Sequence, residues 1–221
     1  MPSVVRQSRY SPEEYLALER KADDKSEYVN GQIIAMAGAS RQHNLIAGNL
    51  YREVSQQLRG RPCEAYISDI RVKVSRTGLY TYPDVVVVCG EIRFEGASHD
   101  TLLNPLVIVE VLSASTEAYD RGEKFAHYRR LESLQDYLLV AQDKVRLEHY
   151  VRQGAQWVLS EVSDLHDTVH LASIGCDVGL QEVYDKVQFV TSDEANWTRA
   201  CRRPPIASAR TSLRPLVAPE A

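Results

Sequence analysis

Apolar and polar positions alternate along this chain with two periods, one helical and one extended, in short segments. Ser11-Pro12-Glu13-Glu14 places a capping hydroxyl, a proline at the first helical position and a glutamate three residues after the cap, ahead of apolar Tyr15 and Leu18. That order predicts a short helix over 12–20. Ser26-Glu27-Tyr28-Val29 and the stretch 32–36 flank Asn30-Gly31, a pair suited to the positive φ angles of a two-residue type I′ hairpin turn. Ser40 predicts the cap of a second helix, whose apolar positions Ile46, Leu50, Val54 and Leu58 recur every four residues before Gly60 and Pro62 end it.

Strands are predicted over 65–74, 82–89 and 106–112. The first alternates, with Asp69, Arg71 and Lys73 against Ile70, Val72 and Val74, which implies one wet face. The other two are nearly continuous apolar runs, the pattern of strands buried on both faces, and belong at the sheet centre. A helix over 116–130 follows a Ser/Thr-rich turn. Segments 136–141, 145–151 and 157–162 read as a meander with turns at 142–144 and 154–155, and Gly175 and Gly179 punctuate a weaker segment ending near 190.

This order predicts an α/β (α+β) architecture with a mixed central β-sheet flanked by helices, without internal repeat or Rossmann alternation. The 221 residues, 44% hydrophobic, suffice for one substantial core, expected over 1–190. Residues 191–221 hold Pro204, Pro205, Pro215 and Pro219 among many Ser, Ala and Arg, without amphipathic period, and are expected to be a disordered tail.

Charge narrows the function classes. A net charge of -4 argues against a protein that coats phosphate generally. The stretch 41–76 is locally basic, with seven Lys or Arg against three acids. The four cysteines, Cys63, Cys89, Cys176 and Cys201, show no zinc-like spacing, and Cys89 is expected to pack as a small hydrophobe. No apolar leader or membrane span is apparent, so a reducing cytoplasm is the expected setting.

Two acids stand out. Asp84 shares a strand side with Val86 and Val88, and Glu110 shares one with Leu106, Ile108 and Leu112. A carboxylate on each of two buried strands is costly unless paired. A divalent cation would resolve both, and magnesium favours one or two carboxylates with waters and a substrate phosphate. The alternative for each acid is structural: Asp84 capping the turn after Pro83, Glu110 paired with an arginine.

Pro83-Asp84 followed by Glu110-Val111-Leu112 resembles the PD-(D/E)XK nuclease superfamily, the restriction-endonuclease-like fold. More narrowly, the chain is similar to the Uma-two-type (DUF820-like) family of bacterial endonucleases. The motifs are Ser11 to Leu16, Glu27 to Ile33, His43 at a helix start, Ser68 to Val72, Tyr82 to Val86, Val109 to Thr116 and Asp120 to Tyr128. Position 112 departs from the superfamily pattern, holding leucine where a lysine belongs. The family resemblance instead implies a lysine on the following helix, here Lys124, with Asp120 and Tyr128 on the same helical face. It implies Asp84, Glu110 and Lys124 as catalytic residues and Asp84, Glu110 and Glu27 as metal ligands, Glu27 alternatively as a partner for Lys124. His43, Asp69, Asp120 and Tyr128 are further candidates.

The resemblance implies Mg2+, or Mn2+, and hydrolysis of nucleic acid, DNA in particular, by a homodimer when the substrate is a duplex. The missing lysine at 112 keeps a second reading open, a nuclease-fold protein that binds nucleic acid or protein without cutting.

Overall fold

The computed structural model describes residues 9–189. Helix α1 (Pro12–Glu19) begins as the motif predicts: Ser11 Oγ accepts from the Glu14 amide while Glu14 accepts from the Ser11 amide. Strands β1 (Ser26–Val29) and β2 (Gln32–Ala35) form the hairpin, with Asn30 at φ 51° and Gly31 at φ 86°. Helix α2 (Arg41–Gln57) is capped by Ser40 and buries Ile46, Leu50 and Val54.

The segment 65–74 is not one strand. It divides into β3 (Cys63–Ile67) and β4 (Arg71–Val74), which join different sheets. The break falls at Ser68, whose φ of 57° turns the chain out of extended geometry. β4 continues into β5 (Leu79–Thr81), and the chain then passes through Tyr82, Pro83 and Asp84 into β6 (Val85–Cys89). Next come β7 (Thr101–Leu102) and β8 (Val107–Leu112).

The expected helix over 116–130 has three parts: α3 (Glu117–Tyr119), a π-helical turn (Asp120–Lys124) and α4 (Phe125–Tyr128). A π turn widens the helix by one residue and recurs at functional sites. The meander is β9 (Asp136–Ala141), β10 (Leu147–Gln153) and β11 (Gln156–Val162). The weaker segment forms the hairpin β12 (Thr168–Leu171) and β13 (Cys176–Gly179) with the short α5 (Leu180–Val183). The expected tail, 191–221, lies outside the described residues.

Two larger sheets result. One runs β2-β1-β5-β4-β7 and the other β11-β10-β9-β8-β6-β3. The second is mixed, β8 and β9 being parallel and its other pairs antiparallel. Its central strands β6 and β8 are buried on both faces, as their apolar runs predict. Val85, Val87, Val107, Val109 and Val111 pack toward α2 and the β12–β13 hairpin. Val86, Val88, Ile108 and Leu112 pack on the other side with Phe125, Tyr128 and Tyr137. Leu106 precedes β8 and packs with the first group rather than sharing the Glu110 side. Each buried valine or leucine contributes roughly 1.5–3 kcal/mol over leaving it in water.

The structure corrects two expectations. Arg71 is 3% exposed; it donates to Tyr82 Oη at 2.7 Å and to Thr101 Oγ1 at 3.0 Å and pairs with Asp100 at 3.0 Å. The wet face expected for 65–74 therefore does not exist at Arg71. Cys89 is not a free packing residue: the β3–β6 register sets it opposite Cys63, and the two form a disulfide. Residues far apart in sequence meet here because antiparallel pairing aligns them, which spacing alone does not reveal.

Candidate active site

The six-stranded sheet supplies the first two residues. β6 and β8 pair with Val85 opposite Val109, and one further step of that register sets Asp84 alongside Glu110. Asp84 Oδ2 accepts from the Val111 amide at 2.7 Å, which ties its carboxylate to the residue after Glu110. Asp84 Oδ1 lies 2.7 Å from His43 Nε2, on the first turn of α2. His43 is thus drawn into the site by a direct contact with Asp84.

Lys124 brings residues of the two sheets together. Lys124 Nζ lies 2.9 Å from Glu110 Oε1, 3.1 Å from Glu27 Oε1 and 3.4 Å from Asp120 Oδ1. Glu27 comes from β1 of the five-stranded sheet and also accepts from the Thr81 hydroxyl, at the end of β5. The ammonium therefore joins both sheets and the π turn. Tyr128 donates to Glu110 Oε1 at 2.7 Å, and Tyr137 donates to the Asp120 carbonyl at 3.0 Å. Asp120 pairs with Lys124, and Lys124 and Tyr128 both reach Glu110 Oε1.

Burial grades across the group. Glu110, Lys124 and Asp120 side chains are within 6% exposure, whereas Asp84 and His43 keep 18% and 16%. Asp84 and His43 thus form the open side of the site and Lys124 its floor.

The electrostatics follow from that gradient. Burial, reinforced by the nearby Asp120 and Asp84 charges, pushes Glu110 up to about 8 despite the opposing Lys124 ammonium. Burial likewise raises Asp120. Burial acts to depress Lys124, but Glu110, Glu27 and Asp120 outweigh it and hold the ammonium well above its ordinary range. Tyr128 is raised by burial and by the Glu110 and Glu27 charges, so it stays a hydrogen-bond donor. Three carboxylates on one ammonium leave excess negative charge around Lys124.

That donor set suits a hard divalent cation. Asp84 and Glu110 offer carboxylate oxygens on adjacent strands, and the excess negative charge is the complement of a double positive one. Among the described residues no three His, Cys, Asp or Glu side chains form a ready metal cage. Magnesium bound through one or two carboxylates and waters requires none.

Asp69 does not join the group. It lies in the irregular link between β3 and β4, its side chain 87% exposed, paired with Lys25 at 3.0 Å. Leu112 packs in the apolar core with Phe125, so position 112 contributes no charge to the site. Thr81 and Tyr137 were not singled out by pattern, since a strand-end threonine and a core tyrosine carry no distinctive spacing.

A second buried polar group sits elsewhere. His149 Nε2 lies 2.7 Å from Asp136 Oδ1, and Ser173 donates to the other Asp136 oxygen. Both bind the same carboxylate, in contrast to a nucleophilic triad in which serine pairs with histidine. This cluster fastens the 172–175 turn to β9 and β10.

The mixed sheet with flanking helices defines a nuclease-like α+β fold. The crystal structure of a putative nuclease belonging to DUF820 from Anabaena variabilis superposes with a TM-score of 0.64 at 16% identity, covering 80% of this chain and 99% of that one. The chain belongs to the Uma2 family, described as "Putative restriction endonuclease", whose sequence model matches residues 12–181. Two Synechocystis proteins, the uncharacterized sll1609 and slr1290, are similar to it. The first is 41% identical over 150 residues, 67% of this chain and 85% of its own length. The second is 38% identical over 182 residues, 82% of this chain and 94% of its own length. Among the described residues no helix is long and apolar enough to cross a membrane.

Proposed function

We propose that the protein hydrolyses phosphodiester bonds in DNA with Mg2+, or Mn2+, held by Asp84 and Glu110. The observation that carries this reading is Lys124 at 2.9 Å from Glu110, the residue that the β6–β8 register sets alongside Asp84. Bound there, a divalent cation would supply positive charge to the phosphate and a more acidic water as nucleophile.

The chain's own residues divide the remaining work. His43 and the Val111 amide fix both Asp84 oxygens, so its carboxylate is oriented before any ligand arrives. Tyr128 holds Glu110 from the apolar side. Lys124 is kept protonated by its three carboxylate partners, and on this reading its charge steadies the attacking water or the phosphate. Glu27 serves as the lysine's anchor, with a place as an additional metal ligand if Lys124 moves toward substrate.

The same reading implies a homodimer for duplex cleavage, since each strand needs its own site. A non-cutting nucleic-acid or protein binder is the competing reading. It is favoured by Lys124 having three carboxylate partners in the free protein.

The deciding experiment incubates plasmid with purified protein and Mg2+ or Mn2+, alongside Asp84→Ala. Metal-dependent nicking by the wild type and none by the variant is expected. Equal nicking by both, or none by either, removes the nuclease reading.

A further inference from the structure

β11 ends one side of the six-stranded sheet, and among the described residues no strand pairs with its outer edge. The hydrogen bonds of its neighbour show which backbone groups that edge presents. The Arg152 amide donates to the Gln135 carbonyl and the Ala141 amide to the Arg146 carbonyl, so the even-numbered residues of β10 face β9. The odd-numbered residues of β10 face β11, where they meet Gln156, Val158, Ser160 and Val162. The N–H and C=O groups of Trp157, Leu159 and Glu161 therefore point away from the sheet.

Water serves those groups but not the side chains beside them. Val158 is 43% exposed and Leu159 50%, and consecutive residues of a strand lie on opposite faces. A helix or loop laid on the sheet covers one face, whereas a further strand continues both. With seven residues, no proline and no lysine, β11 lacks the usual guards of an open edge.

The strand is complementary to itself. Antiparallel pairing about Leu159 sets Leu159 of one copy against Leu159 of the other and Trp157 against Glu161, the register that engages all three outward residues of both copies. Charge agrees with it. Among the described residues Glu161 has no cation partner, and the neighbouring Glu148 is held by Arg121 and Arg146. Arg152 lies over the Trp157 ring at 4.5 Å and donates to the carbonyls of Leu134, Arg129 and Leu131, with no carboxylate on it. The pairing brings each Glu161 alongside the other copy's Arg152–Trp157 stack, and symmetry makes the contact twice. A register centred on Glu161 would instead set acid against acid.

We infer that β11 is a dimer interface: two copies of this chain join edge to edge through antiparallel β11 strands centred on Leu159, forming one continuous sheet. The inference gives a surface to the homodimer that the nuclease reading implies, but it rests on the strand edge and not on cleavage.

The test is sedimentation equilibrium of the full chain without DNA or metal. Wild type is expected at twice the 24.9 kDa chain mass and Leu159→Lys at the chain mass, with matching circular dichroism. A second measurement does not depend on how that variant folds. In a Cys201→Ser background, Leu159→Cys places two thiols across a hydrogen-bonded pair whose Cα atoms lie about 5.5 Å apart, within disulfide reach. Oxidised glutathione should cross-link it to a dimer and leave Leu165→Cys, exposed beyond the end of β11, as monomer on denaturing gels. A monomeric wild type overturns the inference, as does a dimer that survives Leu159→Lys or that cross-links at 165 as readily as at 159. Cleavage is scored separately: a β11 dimer that does not nick plasmid fails the nuclease reading alone, and a monomer that nicks fails the interface alone.

Discussion

Lys124 meets Glu110 at 2.9 Å on the apolar side of a sheet where neither charge would survive alone. The pair closes across the seam between two sheets, because Glu27 of the five-stranded sheet holds the same ammonium at 3.1 Å. Structure and candidate chemistry share these atoms, so substitutions here are expected to change both stability and activity.

Lys124→Met leaves Glu27, Glu110 and Asp120 buried without their cation. Removing one partner of a buried ion pair costs about 3–5 kcal/mol, and urea unfolding should show a loss of that size. Adding Glu110→Gln should restore part of it in melts at a pH well above 8, where Glu110 would otherwise be driven to carry an uncompensated charge. A double variant no more stable than Lys124→Met would mean that Glu110 is not coupled to the lysine.

In protein stripped of divalent metal, stability should depend on pH through Glu110. Its carboxyl moves from 4.5 to about 8 in the folded state, so the fold binds the proton more tightly than the open chain does. The stabilisation is fully present below pH 4.5, shrinks as pH rises and is gone above about 8. Denaturant melts across that window should fall for wild type and be flatter for Glu110→Gln. Parallel curves for the two proteins would contradict the assignment.

His43→Ala should lower metal-dependent cleavage about 10- to 100-fold, the usual effect of removing a residue that orients a metal-binding side chain. The fold should tolerate it, because His43 is partly exposed and Ser40 caps the helix independently. Cleavage rates with matched circular dichroism spectra test this. Wild-type rates in the variant would reduce the 2.7 Å contact to Asp84 to coincidence.

The Cys63–Cys89 disulfide closes a loop with a sequence separation of 26. Loop-closure entropy for that length predicts a loss of about 3–4 kcal/mol on reduction. Urea melts with and without dithiothreitol measure it, with Cys63→Ser/Cys89→Ser as a reductant-insensitive control. A wild-type midpoint indifferent to reductant would show that the bond does not form in solution, the outcome that a reducing cytoplasm would favour.

Local pattern carried a large part of this architecture. The Ser11 capping box, the Asn30-Gly31 turn and the apolar runs of β6 and β8 each depend on neighbours within a few residues, where propensity and period act directly. Asp84, Glu110 and Lys124 were legible as candidate site residues, the acids because charge interrupts apolar strands and the lysine through family resemblance. Neither source gave the distances between them.

Other features depend on which strands pair, and a chain met in one dimension does not state that. The division of 65–74 between two sheets turns on Ser68, an ordinary residue in a left-handed conformation that only its surroundings impose. Burial of Arg71 and the Cys63–Cys89 pair follow from the resulting strand pairing, and the contact of His43 with Asp84 follows from how α2 packs on that sheet. The sequence by itself determined the elements, the buried strands and the acids on them, since these follow from side-chain period and the cost of burying charge. Tertiary structure alone decided that Glu27 and Glu110, from separate sheets, share one lysine, because a buried cation is stabilised by whichever carboxylates the packing brings within about 3 Å.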